Sequence, residues 1–278
     1  MSTASAPGSI ANLGPGFDLL ALAVSIRLEV EAEPAASWSV TSDGRPVAES
    51  TARLVQGVAG DQPHAIYIRS KIPVGKGLGS SAALRVAVRA AVDAAAGSYD
   101  LGSVFRAAAA AEGHPDNAAA AAYGGLVAVT ATGEILRLGV HPSLRIMVGV
   151  PAEAMSTHTA RAALDDTVPR AVAVRTAARV AALIEGLRTA DPVALAAAAG
   201  DEIHELPRSE LSPITAKLIE AARGAGALHA AWSGAGPSAV ALATDSSARV
   251  VEQALRGAVG EDGEVLRLEI DRQGTVLS

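Results

Sequence analysis

Residues 71–84 read KIPVGKGLGSSAAL, with three glycines within five residues, at positions 75, 77 and 79. Before it, apolar and polar residues alternate along Ala65–Arg69, which contains two isoleucines, and this pattern predicts a strand. After it, Ala82–Ala96 consists almost wholly of helix-forming residues with one apolar stripe, which predicts a helix. The stretch therefore connects a strand to the N-terminus of a helix.

A glycine loop in this position is suited to binding an anion. Gly75, Gly77 and Gly79 let the backbone approach a ligand without a Cβ in the way. The free amides and the dipole of the first helical turn favour negative charge. Ser80 and Ser81 stand where the N-cap is expected, and their hydroxyls can bind phosphate or Mg²⁺. The spacing matches neither GxxxxGK[ST] nor GxGxxG, so a plain strand–helix connection is the alternative interpretation.

The composition restricts the class of protein. The 278 residues are 50% hydrophobic but only 3% aromatic, so the core must consist of Ala, Val, Leu and Ile. A net charge of -6 without a basic block argues against nucleic acid or a membrane surface as the partner. The absence of cysteine excludes disulfides and thiolate chemistry. The first residues lack the pattern of a signal peptide, so none is expected, and no apolar run approaches about 18 residues; we therefore expect a cytoplasmic protein.

The irregular order of the elements predicts an α+β fold rather than a doubly wound parallel sheet. Apolar residues alternate along Leu20–Glu33, which predicts a strand, and Leu144–Val150 predicts another. Val168–Thr189 has the composition of a long helix. Ala6–Asp18, polar and rich in glycine, is predicted to be a loop.

A dense polar cluster occurs at residues 112–117, which read EGHPDN. Gly113 suits a helix end and Pro115 suits the first position of the next helix. The cluster is therefore either a polar helix–helix junction, with His114 and Asn117 as caps, or a functional site. In such a site Glu112 would be a magnesium ligand or a base behind the ligands, and the other residues would contact a polar substrate. No cysteine or second histidine at ligand spacing supports zinc.

Other polar residues have two interpretations each. Asn12 and Asp18 lie near loop ends, where turn formation explains them as well as a cleft does. Arg161 and Arg208 stand in largely apolar surroundings, and arginine suits bidentate capture of a carboxylate or phosphate, although most arginines are surface groups.

Three glycine-rich loops, Pro7–Asp18, Pro73–Ala83 and Ser233–Ser238, resemble those of the GHMP kinases, the superfamily of galactokinase, homoserine kinase and mevalonate kinase. The second loop reproduces the superfamily motif PxxxGLGSSA. Within the superfamily the chain is most similar to the homoserine kinases. The discriminating stretches are SIANLGPGFD (9–18), EGHPDN (112–117), Ser156-Thr157 with Arg161, and HELPR (204–208), a variant of the more usual HEPYR.

The resemblance implies a two-lobe GHMP kinase fold and a homodimer. Residues 1–150 would form the N-terminal ATP-binding domain, related to ribosomal protein S5 domain 2, with a left-handed βαβ crossover around the phosphate loop. Residues 151–278 would form a C-terminal α/β-sandwich domain, whose SGAGPS turn would brace the phosphate loop or the substrate pocket.

The resemblance also assigns site residues. The ATP phosphates would be bound by Pro73, Gly75, Lys76, Gly77, Leu78, Gly79, Ser80, Ser81 and Ala82, and Val47–Gln62 would by position carry the base pocket. Mg²⁺ would be bound by Ser80 or Ser81 together with Glu112. L-homoserine would be bound by Asn12, Asp18, His114, Asp116, Asn117, Arg161 and Arg208, with acidic side chains at its ammonium and arginines at its carboxylate.

The implied activity is ATP-dependent phosphorylation of the side-chain hydroxyl of L-homoserine, a step in threonine biosynthesis. Asn12 and Asn117 would orient that hydroxyl, and its proton would leave without a dedicated base; Asp116 is the one alternative base. A GHMP kinase for mevalonate or shikimate is a competing interpretation, but those substrates lack the ammonium that Asp18 would recognise. A non-catalytic nucleotide or amino-acid sensor is another.

Overall fold

The computed structural model describes residues 1–278 and contains twelve strands and ten helices. The strands are β1 (Ser2–Asn12), β2 (Gly16–Pro34), β3 (Ser39–Ser42), β4 (Arg45–Pro46), β5 (His64–Ser70), β6 (Leu126–Val129), β7 (Ile135–Leu138), β8 (Arg145–Val150), β9 (His229–Trp232), β10 (Ala239–Ala243), β11 (Glu264–Leu268) and β12 (Val276–Leu277). The helices are α1 (Glu49–Ala59), α2 (Ser80–Ala95), α3 (Leu101–Glu112), α4 (Pro115–Tyr123), α5 (Thr157–Ala162), α6 (Arg170–Thr189), α7 (Pro192–Ala197), α8 (Glu205–Arg208), α9 (Pro213–Gly224) and α10 (Asp245–Ala258). This mixture confirms the α+β prediction.

The first sheet has eight strands and is built around β2. Its order is β12-β1-β2-β5-β3-β4, and the β6–β7 pair joins through β2. Helices α2 and α4 pack against β1 and β2. The five alanines Ala118–Ala122 of α4 are all fully buried, so small side chains allow this helix to approach the sheet closely. The scarcity of aromatic residues in the sequence is thus matched by a core of close-packed small residues.

The second sheet has four antiparallel strands in the order β11-β8-β10-β9, and α9 and α10 pack against it. Because β8 pairs with β10 and β11, the predicted division at residue 150 falls just after a strand of the second sheet. After the second sheet, the C-terminal strand β12 returns to the first sheet and pairs with Ala4 and Ser5 of β1. No helix is both long enough and apolar enough to cross a bilayer.

Two local predictions are wrong. Ala6–Asp18 is not a loop throughout: β1 runs to Asn12, because pairing with β2 satisfies its backbone hydrogen bonds despite its small residues. The N-cap of α2 is Gly79 rather than a serine, and it adopts a left-handed backbone (φ 69°) that favours glycine. Both differences bring backbone close to the glycine loop, since the Ser9 N–H donates to the Leu78 carbonyl at 3.0 Å.

Candidate active site

One cleft of about 330 Å³ lies where the three glycine-rich loops meet. Most of the predicted site residues line it: Asn12, Asp18, Pro73, Gly75, Gly77, Leu78, Gly79, Ser80, Ser81, Glu112, His114, Asp116, Asn117, Arg161 and Arg208. Lys76 and Ala82 are not among its lining residues. Residues from distant parts of the chain therefore share one cavity.

The glycine loop between β5 and α2 is fixed by close backbone contacts. A Cβ added at Gly77 would lie 2.0 Å from the Ser233 carbonyl oxygen, and one at Gly79 would lie 2.1 Å from the Ser9 Oγ. Both glycines also have positive φ, which side chains disfavour. These contacts fix the loop beside the first turn of α2. The amides of that turn have no hydrogen-bond partners within the helix. This arrangement fits the phosphates of a nucleotide.

The turn at residues 233–236 braces this loop from the second lobe. The Ser233 hydroxyl donates to the Gly77 carbonyl at 2.7 Å. Asn12 Nδ2 donates to the Gly234 carbonyl at 3.1 Å, and the Gly234 N–H donates to the Ala11 carbonyl at 3.1 Å. All three glycine-rich segments are therefore joined by direct hydrogen bonds beside the cleft.

The side chain of Lys76 lies outside the cleft. Its ammonium donates to the carbonyls of Pro151, at 2.8 Å, of Ala152, and of Glu153. It therefore ties the glycine loop to the chain that follows β8, instead of occupying the phosphate position predicted for it.

A hydroxyl and a carboxylate meet where α2 begins. Ser81 Oγ donates to Glu112 Oε2 at 3.2 Å, and Arg85 Nη1 donates to both of these oxygens. No cluster of three or more acidic, histidine or cysteine side chains forms a ready-made metal cage. Mg²⁺ in phosphate-transfer sites usually takes one or two protein ligands and completes its shell with water and substrate phosphates. Ser81 and Glu112 fit that donor set.

Opposite charges pair at the other end of the cleft. Arg161 and Asp18 form a bidentate ion pair, with 3.1 Å between Nη1 and Oδ2. Arg208 is 1% exposed; its Nε donates to the Ala160 carbonyl at 3.0 Å, while its Nη2 makes no hydrogen bond within the protein. Both guanidinium groups lie over the ring of Phe17, at 5.4 and 5.5 Å from its centroid.

A buried histidine holds Arg208 in place. His204 Nε2 donates to the Gly14 carbonyl at 2.7 Å, so its Nδ1 accepts from Arg208 Nη1 at 3.0 Å. Burial lowers the pKa of His204 to about 4, which keeps the ring neutral, as this arrangement requires. Burial also lowers the pKa of Arg208 to about 10, so its guanidinium still carries a charge at neutral pH.

Residues of the EGHPDN cluster line the same cleft as the glycine loop and the two arginines. Asp116 is 2% exposed, and burial raises the pKa of its carboxyl to about 7. Asn117 Oδ1 accepts from the Ser9 hydroxyl at 2.7 Å, which leaves its Nδ2 group without a protein partner. Burial lowers the pKa of His114, and its Nδ1 makes no hydrogen bond. Gly113 and Pro115 end and begin helices as predicted.

Several lining residues were not identified from the sequence. They are Ala11, Phe17, Val74, Leu84, Met155, Ser156, Thr157 and Gly234–Gly236. Ser156-Thr157 and the SGAGPS turn belong to motifs quoted above. Thr51 and Leu54 of α1 also line the cleft, and they fall in the 47–62 segment that was expected by position to carry the base pocket. Phe17 lies within the first glycine loop, but its ring has no evident role until the two arginines are seen beside it.

Comparison with protein families matches both halves of the chain. The N-terminal domain of GHMP kinases matches residues 46–125, and the C-terminal domain of GHMP kinases matches residues 183–262. A homoserine kinase of Thermus thermophilus is 37% identical over 276 residues, covering 95% of this chain and 94% of that protein. That of Streptomyces avermitilis is 34% identical over 288 residues, covering 96% and 92%.

Solved structures share the fold over the whole chain. The crystal structure of homoserine kinase from Cytophaga hutchinsonii superposes with a TM-score of 0.86 at 28% identity, covering 100% of this chain and 97% of that one. Phosphomevalonate kinase of Streptococcus pneumoniae, solved with phosphomevalonate and AMPPNP, has a TM-score of 0.75 at 20% identity, covering 97% and 99%. The latter likeness concerns the fold alone.

Proposed function

We propose that this chain, which belongs to the homoserine kinases of the GHMP kinase superfamily, transfers the γ-phosphate of ATP to the side-chain hydroxyl of L-homoserine. The product is O-phospho-L-homoserine, and the reaction is a step of threonine biosynthesis. One observation carries the proposal: a single cleft joins a phosphate-type glycine loop to the charge pair of Asp18 and Arg161. That pair is the complement of a free amino acid, which carries both an ammonium and a carboxylate.

The nucleotide phosphates would lie against the glycine loop and the amides that begin α2. Gly77 and Gly79 keep this surface free of side chains. Ser81 and Glu112 would hold Mg²⁺, with Ser80 beside them in the cleft lining. When bound, the ion supplies neutralisation of the charge on the β- and γ-phosphates.

Homoserine would separate the ion pair of Asp18 and Arg161 and bind each of the two side chains in place of the other. Its ammonium would take the Asp18 carboxylate, and its carboxylate would take Arg161 together with the unpartnered Nη2 of Arg208. Phe17 supports both guanidinium groups, which limits their freedom and lowers the entropy lost on binding. Because each partner is replaced by a group of like charge, the exchange leaves neither Asp18 nor Arg161 unpaired.

The substrate hydroxyl would be oriented by two amides. Asn117 offers its free Nδ2 group. Asn12 accepts from the Asp18 N–H at 3.2 Å and donates to Gly234, so one hydrogen of its Nδ2 is left for substrate. We propose that this positioning allows in-line attack on the γ-phosphate and that the proton leaves without a dedicated base. Asp116 is the alternative base, and its pKa of about 7 suits that role near neutral pH.

The test is ADP release from Mg-ATP in parallel reactions with homoserine, mevalonate, shikimate or no acceptor. We expect turnover with homoserine only, and an Arg161→Gln variant should lose it mainly through a higher KM. Arg145→Gln is the matched control, since Arg145 forms a comparable bidentate pair with Asp245 outside the cleft. Turnover with another acceptor alone would refute the amino-acid pocket.

The cytoplasmic location and the homodimer are predictions from the sequence and the resemblance. Light scattering on the purified chain measures the assembly directly, and a mass twice the 27.8 kDa of one chain would support the dimer.

A further inference from the structure

The guanidinium of Arg85 contacts the two oxygens that we assign to the metal, Ser81 Oγ and Glu112 Oε2. Arg85 is four residues after Ser81 on α2, so the two side chains share one face of the helix. Its Nη1 donates to Ser81 Oγ and to Glu112 Oε2, and the side chains of Arg85 and Glu112 are 15% and 10% exposed. Solvent therefore screens this ion pair only in part.

Arg85 and a divalent ion cannot use these oxygens in the same way. The guanidinium cannot lose its proton in a protein, so each N–H occupies a lone pair of Ser81 or Glu112. Mg²⁺ binds oxygen at about 2.0–2.1 Å, closer than any hydrogen-bond donor, and a neighbouring guanidinium would repel it. The two cations are therefore competitors for the same pair of oxygens.

We propose that Arg85 is a displaceable counter-ion of the metal site. In the nucleotide-free protein it neutralises Glu112 and keeps Glu112 and Ser81 together, and it makes free divalent metal bind weakly. Ser81 and Glu112 would take the metal when a triphosphate is bound as well, and the released Arg85 guanidinium would pair with the negative charge of that triphosphate. The inference rests on the proposed function only for the role of Ser81 and Glu112 as metal ligands.

The same helix provides a matched control. Arg89 lies one turn further along α2, and its Nε pairs with Asp93 Oδ2 at 2.8 Å. Neither residue lines the cleft. Substitution of Arg89 removes an arginine–carboxylate pair and one positive charge from α2, but it leaves Ser81 and Glu112 unchanged. Methionine is the replacement in both cases, because it retains an unbranched apolar stem.

The experiment measures binding of Mn²⁺ alone to the nucleotide-free protein by electron paramagnetic resonance. Mn²⁺ prefers the same oxygen ligands as Mg²⁺. We expect Arg85→Met to bind Mn²⁺ at least about tenfold more tightly than the wild type, because a repelling unit charge has been removed. Arg89→Met should bind like the wild type, and Arg85→Met combined with Glu112→Gln should lose the gain.

Unchanged or weaker Mn²⁺ binding by Arg85→Met would overturn the proposal. Circular dichroism and thermal unfolding establish that the variants are folded, and Arg85→Gln provides the same comparison if the methionine variant is unstable. Arg85→Lys retains the charge and should resemble the wild type. Turnover with homoserine is measured separately: a wild type that is active while Arg85→Met gains no metal affinity contradicts this inference but leaves the proposed function standing. A wild type that never turns over homoserine contradicts the function instead.

Discussion

The carboxylate of Asp18 and the guanidinium of Arg161 face each other as a bidentate pair, although 143 residues separate them in the chain. Asp18 is the last residue of the first glycine-rich segment and lies at the start of β2, and Arg161 lies near the end of the short helix α5. Each side chain is about one-third exposed, at 37% and 34%, so a ligand can reach both. Resemblance to the homoserine kinases places the two residues at opposite ends of one substrate, and in the structure they also pair with each other.

Asp18→Asn should raise the KM for homoserine by about 10- to 100-fold and change kcat much less, because the ammonium loses a charged partner worth about 1.5–3 kcal/mol. Steady-state kinetics at saturating ATP measure this effect. Asp245→Asn is the control, since it breaks the Asp245–Arg145 pair outside the cleft. An unchanged KM in Asp18→Asn would show that the ammonium lies elsewhere.

Gly77→Ala should abolish nucleotide binding and lower thermal stability. The new Cβ would meet the Ser233 carbonyl at 2.0 Å, so the loop and the turn at residues 233–236 must move apart. Gly97→Ala is a close control: Gly97 has nearly the same φ, +69° against +72°, but nothing lies within 4 Å of the added Cβ. It should cost about 1 kcal/mol of stability from backbone strain and leave ATP binding intact. ATP affinity measured by calorimetry distinguishes the two variants.

Lys76→Met should destabilise the protein by about 1–3 kcal/mol, because three backbone carbonyls lose a charged donor. The KM for ATP should change by less than about threefold, since loss of a phosphate contact would cost more than about 0.7 kcal/mol. Urea unfolding measures the change in stability, and steady-state kinetics measure the KM for ATP. Lys71→Met is the control, because Lys71 is exposed and its side chain makes no hydrogen bond. A large rise in KM with unchanged stability would restore the predicted phosphate role.

Asp116 should make the free energy of unfolding depend on pH. Burial raises its pKa from 3.8 in the unfolded chain to about 7 in the native state. Between these values the native state holds a proton that the unfolded state has released, so stability falls as pH rises. The stabilisation is complete below about pH 4 and is lost above about pH 7, with a total of a few kcal/mol.

Asp116→Asn does not titrate, and its stability should therefore lack this contribution. The difference in unfolding free energy between wild type and variant, measured in urea at about pH 5 and about pH 8, should be smaller or of opposite sign at the higher pH. The same variant tests catalysis. If Asp116 were the base, kcat would fall by about 100-fold and the pH profile would lose its acidic limb. With no dedicated base, the profile keeps its shape.

The regular elements could be predicted because their patterns are local. The strand that ends before the glycine loop, the helix that follows it and the long helix α6 all appear within a few residues of their predicted bounds. Strand β1 could not be recognised, since its stability comes from pairing with β2 and not from its own small residues. The N-cap of α2 differs from the predicted serine because of another long-range contact. Ser9 approaches so closely that position 79 requires glycine.

The site divides in a similar way. Motif residues such as Asp18, Glu112 and Arg161 could be placed in one cleft from the sequence and its resemblance. Their partners could not, because a partner depends on which side chains the fold brings within reach. The ammonium of Lys76 on three carbonyls and the guanidinium of Arg85 on Glu112 both follow from geometry that no spacing records.

The brace that the third glycine-rich segment provides has a consequence for synthesis on the ribosome. Ser233 joins Gly77 across 156 residues, and His229 Nε2 donates to the Leu13 carbonyl across 216. A growing chain thus contains β1, β2, β5 and helices α2–α4 long before the groups that close the cleft exist, and the first sheet is completed only when β12 pairs with β1. Until the segment around residue 236 has left the exit tunnel, the nascent first lobe has an open glycine loop without its brace. We therefore expect kinase activity only near the end of translation, when both Ser233 and β12 have reached their partners.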